Sequence, residues 1–232
     1  MVKKFHKELK ELNKDVIKMG VLAKEMLQKS VESLIDLNIE KAEWVLSKKG
    51  TIANMDDIIE ERTLRLITLY QPMASDMREI ACILKMITYL NRIGRYSKDI
   101  AKLVGDWGEK RHVKKLISIP HMSDLVCGML DDAMKAFETK DISKFFDFSD
   151  RDDTIDELRY SIFRECLSYM MENPKVITRC TNYIMIARYL ERCADHSCKI
   201  AEKIYYMVKG VRVEIDHSSE TSKFSLKDRF ND

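Results

Sequence analysis

Along most of the chain the apolar residues recur every three or four positions, the period of an amphipathic helix rather than of a strand. This pattern predicts three long helices, at about Lys3 to Leu37, Glu40 to Tyr70 and Met73 to Val104, with breaks at Asn38 and at Gln71-Pro72. Pro72 suits a first helical turn, where a missing N–H costs nothing. A polar stretch from Gly105 to Pro120 follows. Three more helices are then predicted at about Met122 to Thr139, Ile142 to Met171 and Pro174 to Lys209, with Asp141 and Asn173 where N-caps belong. In the last of these, Cys180, Ile184, Ala187, Leu190, Ala194, Cys198, Ala201, Tyr205 and Val208 form one buried stripe, and Arg188, Arg192 and Lys199 fall off it. Residues Val211 to Asp232 are polar and aperiodic and are expected to form a mobile tail.

The helices repeat. Tyr89, Leu90, Arg92, Ser97, Ile100 and Ala101 recur as Tyr189, Leu190, Arg192, Ser197, Ile200 and Ala201, an offset of 100 residues. Upstream, Asp56-Asp57-Ile58-Ile59-Glu60-Glu61 pairs with Asp152-Asp153-Thr154-Ile155-Asp156-Glu157 at an offset of 96, a difference that loop lengths absorb. Short connections within each half make neighbouring helices antiparallel. The expected fold is therefore all-α: two tandem, repeat-related antiparallel three-helix bundles. They span residues 1–106 and 121–210, joined by a linker at 107–120 and followed by the tail at 211–232.

Composition agrees and narrows the function. The 232 residues are 45% hydrophobic and 34% charged, with only 7 Gly and 3 Pro, which favours long helices over a turn-rich β fold. A formal net charge of +2 is too small for general nucleic-acid binding. Met1 to Asp15 alternates Lys and Glu with isolated apolar residues, unlike a secretory signal, and no stretch is long and apolar enough to span a bilayer. The 6 cysteines lie mostly inside helical patterns without paired CxxC spacing, so they read as buried thiols in a reducing cytoplasm.

Carboxylates carry the candidate chemistry. Phe145, Phe148, Ile155, Leu158 and Ile162 mark the buried side of the fifth helix, and the same spacing places Asp152 on it. Asp156 is one turn on, so the two carboxylates stand about 6 Å apart on one face. Glu191 and Asp195 repeat the spacing on the sixth helix. Packed helices lie roughly 8–10 Å axis to axis, so four acids converge across one groove. Desolvated like charges repel, and a cation such as Mg, Mn, Fe or Zn relieves them. Acids four apart also occur on solvated faces as partners of Lys and Arg. Cys193 and Cys198 read as small core residues, His196 as a rim residue and the 14 Met as core filler.

The segment Tyr189-Leu-Glu-Arg-Cys-Ala-Asp-His196, followed by Lys199-Ile-Ala-Glu-Lys and Tyr206-Met-Val-Lys-Gly210, resembles the final helix of the PhoU family. That family writes the core Glu-Arg-Ile-Gly-Asp; here Cys193 and Ala194 replace the middle pair, and Glu191 and Asp195 match its metal-binding positions. Gln71-Pro72-Met73-Ala74-Ser75-Asp76-Met77-Arg78 and Asp152-x-x-Ile155-Asp156 are two further likenesses. The resemblance implies a cytoplasmic, non-enzymatic regulator that shuts down phosphate uptake and phosphate-starvation signalling. Its metal ions would be held by Asp152, Asp156, Glu191 and Asp195. Its implied partners are a PstB-like ATPase subunit of a phosphate ABC transporter and a PhoR-like sensor kinase, with the membrane reached only through them and room left for a homodimer. The alternatives are a di-metal carboxylate enzyme of ferritin-like type and a metal-free helical adaptor. The enzyme needs Glu-x-x-His pairs on bundle helices, whereas the matches, Glu109/His112 and Glu214/His217, fall in the linker and tail. The first half departs from the family pattern, with Asn91 and Arg95 where a Glu-x-x-x-Asp pair is expected. Asp56 and Glu60 therefore form a degenerate site, and Arg95 is expected to pair with one of them across the groove.

Overall fold

The computed structural model describes residues 2–105, 111–215 and 225–226. Helices α1 (Val2–Asp36), α2 (Ile39–Tyr70) and α3 (Ala74–Gly105) form the first bundle; α4 (Ser118–Thr139), α5 (Phe148–Glu172) and α6 (Ile177–Lys209) form the second. The helices bury apolar stripes, and on α6 the buried face is wider than expected, taking in Tyr183, Ile186, Cys193, Ile200 and Ile204 while Ile184, Tyr205 and Val208 are half-buried. On α1 the sequestered residues Leu12, Val16, Met19, Ala23, Met26, Leu27 and Leu34 advance by helical steps.

The breaks have local causes. Asn38 caps α2 by accepting a hydrogen bond from the Lys41 N–H at 3.0 Å. At the other end, Gln71 adopts a left-handed conformation (φ 45°) and its N–H closes on the Ile67 carbonyl. Pro72 sits in the short connection ahead of α3 rather than in its first turn. Ala74, itself left-handed at φ 38°, opens α3 instead. In the second half, α4 starts at Ser118, four residues before the predicted Met122. Ile119 is buried together with Met122 and Val126, and Pro120 is tolerated within the opening turn. The predicted fifth helix opens as a 3-10 turn, Ser143–Asp147, before α5 begins; Asp141 caps that turn, accepting from the Ser143 N–H at 2.9 Å. A second 3-10 turn, Pro174–Val176, precedes α6, with Asn173 accepting from the Lys175 N–H. Gly210, at φ 73°, ends α6 in the left-handed conformation that glycine adopts without strain.

The two bundles share a core. α1 packs on α4 and α3 packs on α6, so the buried apolar residues form one cluster from Phe5 to Ile215. At the α1–α4 contact a Cβ on Gly20 would lie 2.2 Å from Met134 Sδ, so the Met134 side chain fills the space left by the glycine. The linker is fastened from the other side. Buried Tyr183 Oη accepts from the Val113 N–H, and His112 Nδ1 lies 2.9 Å from the same hydroxyl. His112 Nε2 donates to the Ile35 carbonyl, which ties the linker to α1. Burial, opposed by the Val113 N–H, pushes the Tyr183 phenol up to about 12.

The start of the tail departs from the expected mobile segment. Val213–Glu214 (β1) pairs antiparallel with Ser225–Leu226 (β2), and Val213 and Ile215 are buried. The Ile215 N–H donates to Glu202 on α6 at 3.1 Å. Alternating Val211, Val213 and Ile215 supply a short apolar edge that a helical period does not detect. The 6 cysteines are unbridged; Cys127 is half-buried and the rest are buried. Among the described residues no helix is long and apolar enough to cross a membrane.

Candidate functional site

The second-half acids lie on the adjacent faces of α5 and α6. Asp152 is 3% exposed and shares the buried side of α5 with Phe148, Ile155 and Ile162, where the helical spacing places it. Asp156 is half-buried one turn on. On α6, Glu191 is buried and Asp195 half-buried. The two helices meet near Cys198. Burial first, and then the carboxylates of Asp152, Glu202 and Asp195, push its thiol well above the usual range.

Guanidinium groups already stand among these acids. Arg188 Nη1 donates to both carboxylate oxygens of Glu191. Arg159, on α5, adds a second positive charge, its Nε 3.4 Å from Glu191 Oε2 but not aligned for a hydrogen bond. Arg192 donates to Asp195 at 3.0 Å. Arg151 joins α5 to α4 beside Asp152 through Asp132 at 2.8 Å, and also holds Asp147 at 2.7 Å. Among the described residues no group of three or more His, Cys, Asp or Glu side chains is gathered tightly enough to hold a metal ion. In donor chemistry the four carboxylates suit a hard or intermediate cation. In arrangement, the arginines occupy part of the carboxylate surface such an ion would use.

The first half resolves its acids differently. Asn91 Nδ2 donates to Asp56 Oδ2 at 2.6 Å across the α2–α3 groove. Glu60 and Arg95 are both exposed, and among the described residues no ion pair joins Arg95 to either acid. The expected Arg95 pair is therefore replaced by an amide. Asn91 occupies the repeat position of Glu191 and faces the groove, whereas Arg95, one turn further, turns to solvent. By the repeat, Glu191 and Asp152 are the counterparts of Asn91 and Asp56, so the second half carries an acid where the first carries an amide; across the α5–α6 groove Glu191 meets Arg159, and Asp152 lies near Cys198.

Three features escaped the sequence pattern. Glu202 is 4% exposed yet fully engaged, by Lys199 at 2.8 Å, Lys203 at 3.6 Å and the Ile215 N–H. Its burial comes from the tail folding over α6, which no local signal announces. Arg159 reaches Glu191 from another helix, a contact that spacing along either helix alone does not reveal. His196 is more than a rim residue, because its ring is stacked between those of Tyr89 and Tyr96, at 5.5 and 5.8 Å between centroids. Of the enzyme-type pairs, Glu109 and His217 lie outside the described residues, and His112 serves the linker as described above.

Known proteins align with nearly the whole arrangement. The PhoU domain pattern matches residues 16–104 and 119–204, one copy for each bundle. A phosphate-specific transport system accessory protein PhoU homolog from Aquifex aeolicus is 36% identical over 217 residues, covering 94% of this chain and 98% of that protein. Its counterpart from Rhizobium meliloti is 34% identical, covering 90% and 88%. The crystal structure of PhoU from Pseudomonas aeruginosa superposes with a TM-score of 0.85 at 31% identity, covering 89% of this chain and 99% of the other. The phosphate transport system regulatory protein PhoU from Streptococcus pneumoniae gives 0.83 at 30% identity, covering 90% and 99%. Two copies of the domain, arranged as two packed bundles, place this chain in the PhoU family.

Proposed function

We propose that the chain is a cytoplasmic accessory regulator of phosphate uptake and phosphate-starvation signalling, acting by binding the ATPase subunit of a phosphate ABC transporter or a sensor kinase. The observation that carries this reading is the near-complete alignment with accessory proteins of phosphate-specific transport systems. A regulator of this kind works by preferring one conformational state of its partner, since equal affinity for two states shifts neither. No bond need be made or broken in the chain.

Asp152, Asp156, Glu191 and Asp195 are the residues that would hold a metal ion in this role, as carboxylate-bound Fe, Zn, Mn or Mg. A bound cation would supply charge neutralisation between α5 and α6. Glu191 becomes a ligand by releasing Arg188 and Arg159, and Asp195 by releasing Arg192; both exchanges keep the carboxylates neutralised and free the guanidinium groups for other partners. Burial of Asp152 on α5 and of Glu191 on α6, each needing a neutralising charge, supports the assignment.

One experiment tests both levels of the proposal. A strain lacking the gene is complemented with the wild-type chain or with the double variant Asp152→Ala and Glu191→Ala, and phosphate uptake and bound metal of the purified proteins are measured. Raised or misregulated uptake without the gene, restored by the wild type, is expected, with metal lost in the variant. Normal uptake in the deleted strain overturns the regulatory reading; equal metal content in the two proteins overturns the ligand assignment.

A further inference from the structure

Where α3 crosses α6, the duplicated stripe meets its own copy. Tyr89, Arg92 and Tyr96 on α3 occupy the repeat positions of Tyr189, Arg192 and His196 on α6, in both cases at steps of three and four residues along one face. Their rings interleave across the seam. Tyr89 stacks on His196 at 5.5 Å, His196 on Tyr96 at 5.8 Å, and Tyr96 on Tyr189 at 5.7 Å, all within 27° of parallel. Arg92 lies between Tyr89 and Tyr96, and Arg192 between Tyr189 and His196. Both arginines are exposed at the outer side of this aromatic floor.

One guanidinium group from each helix thus flanks the seam, and their charge is poorly balanced. Asp195 takes one contact from Arg192 at 3.0 Å, leaving most of that fork's donors unused. Asp99, near Tyr189, is held by Lys98 at 2.6 Å, and Lys199 is held by Glu202. Among the described residues no carboxylate pairs with Arg92. The floor itself carries an unsatisfied polar atom, since His196 Nε2 is buried without a hydrogen-bond partner. Both Arg92 and Arg192 lie near enough to this ring for their charge to act on it.

We propose that this seam is a binding site for a tetrahedral oxyanion of the phosphate type, held by the guanidinium forks of Arg92 and Arg192 over the Tyr89–His196–Tyr96–Tyr189 floor. Planar forks from two helices match the geometry of such an anion, and a dianion takes up the guanidinium donors that Asp195 leaves unused. The site rests on the α3–α6 geometry and stands whether or not the transporter reading holds.

The test uses the purified full-length protein titrated with orthophosphate by calorimetry, at constant ionic strength in chloride. Saturable binding of one phosphate per chain is expected, displaced by sulfate and weakened by about tenfold or more in the Arg92→Gln, Arg192→Gln double variant, as befits loss of charge-assisted bonds. The Arg92→Lys, Arg192→Lys variant keeps the charge without the fork and is expected to fall between the two. Binding should also shift the His196 ring resonances in NMR spectra of the wild type. No saturable binding up to about ten millimolar phosphate, or equal affinity in the wild type and in a glutamine variant with unchanged circular dichroism and melting, overturns the proposal.

Discussion

The two halves of the molecule solve one electrostatic problem in different ways. In the first bundle an amide meets Asp56 across the groove, and the remaining acid and base, Glu60 and Arg95, lie in water. In the second, Glu191 is buried and neutralised by Arg188 and Arg159, with Asp152 buried on the facing helix. A neutral donor stabilises one carboxylate and asks nothing further of its surroundings. Two buried acids on facing helices demand positive charge, and a site that demands charge can exchange one source of it for another. Duplication therefore preserved the scaffold while leaving one groove closed and the other adaptable.

The comparison breaks most visibly if the arginines of the second groove are removed. Arg159→Ala with Arg188→Ala strands the buried Glu191 carboxylate and is expected to lower stability by about 3 kcal/mol in denaturant titrations on chelator-treated protein. Adding back a divalent cation should recover much of that loss. A variant that melts like the wild type without metal would mean that water already solvates Glu191.

A smaller effect separates the two candidate partners of Asp56. Asn91→Ala removes the hydrogen bond and should cost about 1 kcal/mol, whereas Arg95→Ala should stay within about 0.5 kcal/mol of the wild type. The reverse order would restore the guanidinium to the first groove.

The mildest test concerns the seam between the halves. The His196 imidazole falls to about 4 in the folded protein, below its ordinary value of about 6.5 in the unfolded chain. Between these values only the unfolded chain takes up the proton, so the contribution is intact above about pH 6.5 and is lost as pH falls towards 4. Solvent screening at this partly exposed ring keeps the loss on the order of 1 kcal/mol. Comparing the pH dependence of stability with that of His196→Phe should show a shallower slope for the variant in that window, and identical slopes would place the titration elsewhere.

Much of this was legible in the residues. The period of three and four gave all six helices, because an amphipathic face is written locally. It also placed Asp152 on the buried side of α5, where it is 3% exposed. What stayed hidden depends on reach across space. Asn91 and Arg95 differ by one turn, and only the inter-helix geometry decides that the shorter side chain meets Asp56 while the longer one leaves the groove. Glu202 looked like an ordinary helical acid, and its burial is created by Ile215, thirteen residues away. Pro72 fell outside the first turn it suits, because the connection around it turns through two left-handed residues, Gln71 and Ala74.

The close approach at Gly20 has a thermodynamic meaning. With the Met134 side chain of α4 seated over Gly20 of α1 inside one continuous core, neither bundle can loosen without exposing apolar surface on the other. The two copies are therefore expected to unfold as one cooperative unit. Free energy gained by a ligand at either groove, or at the seam, is then felt as added stability by the whole chain.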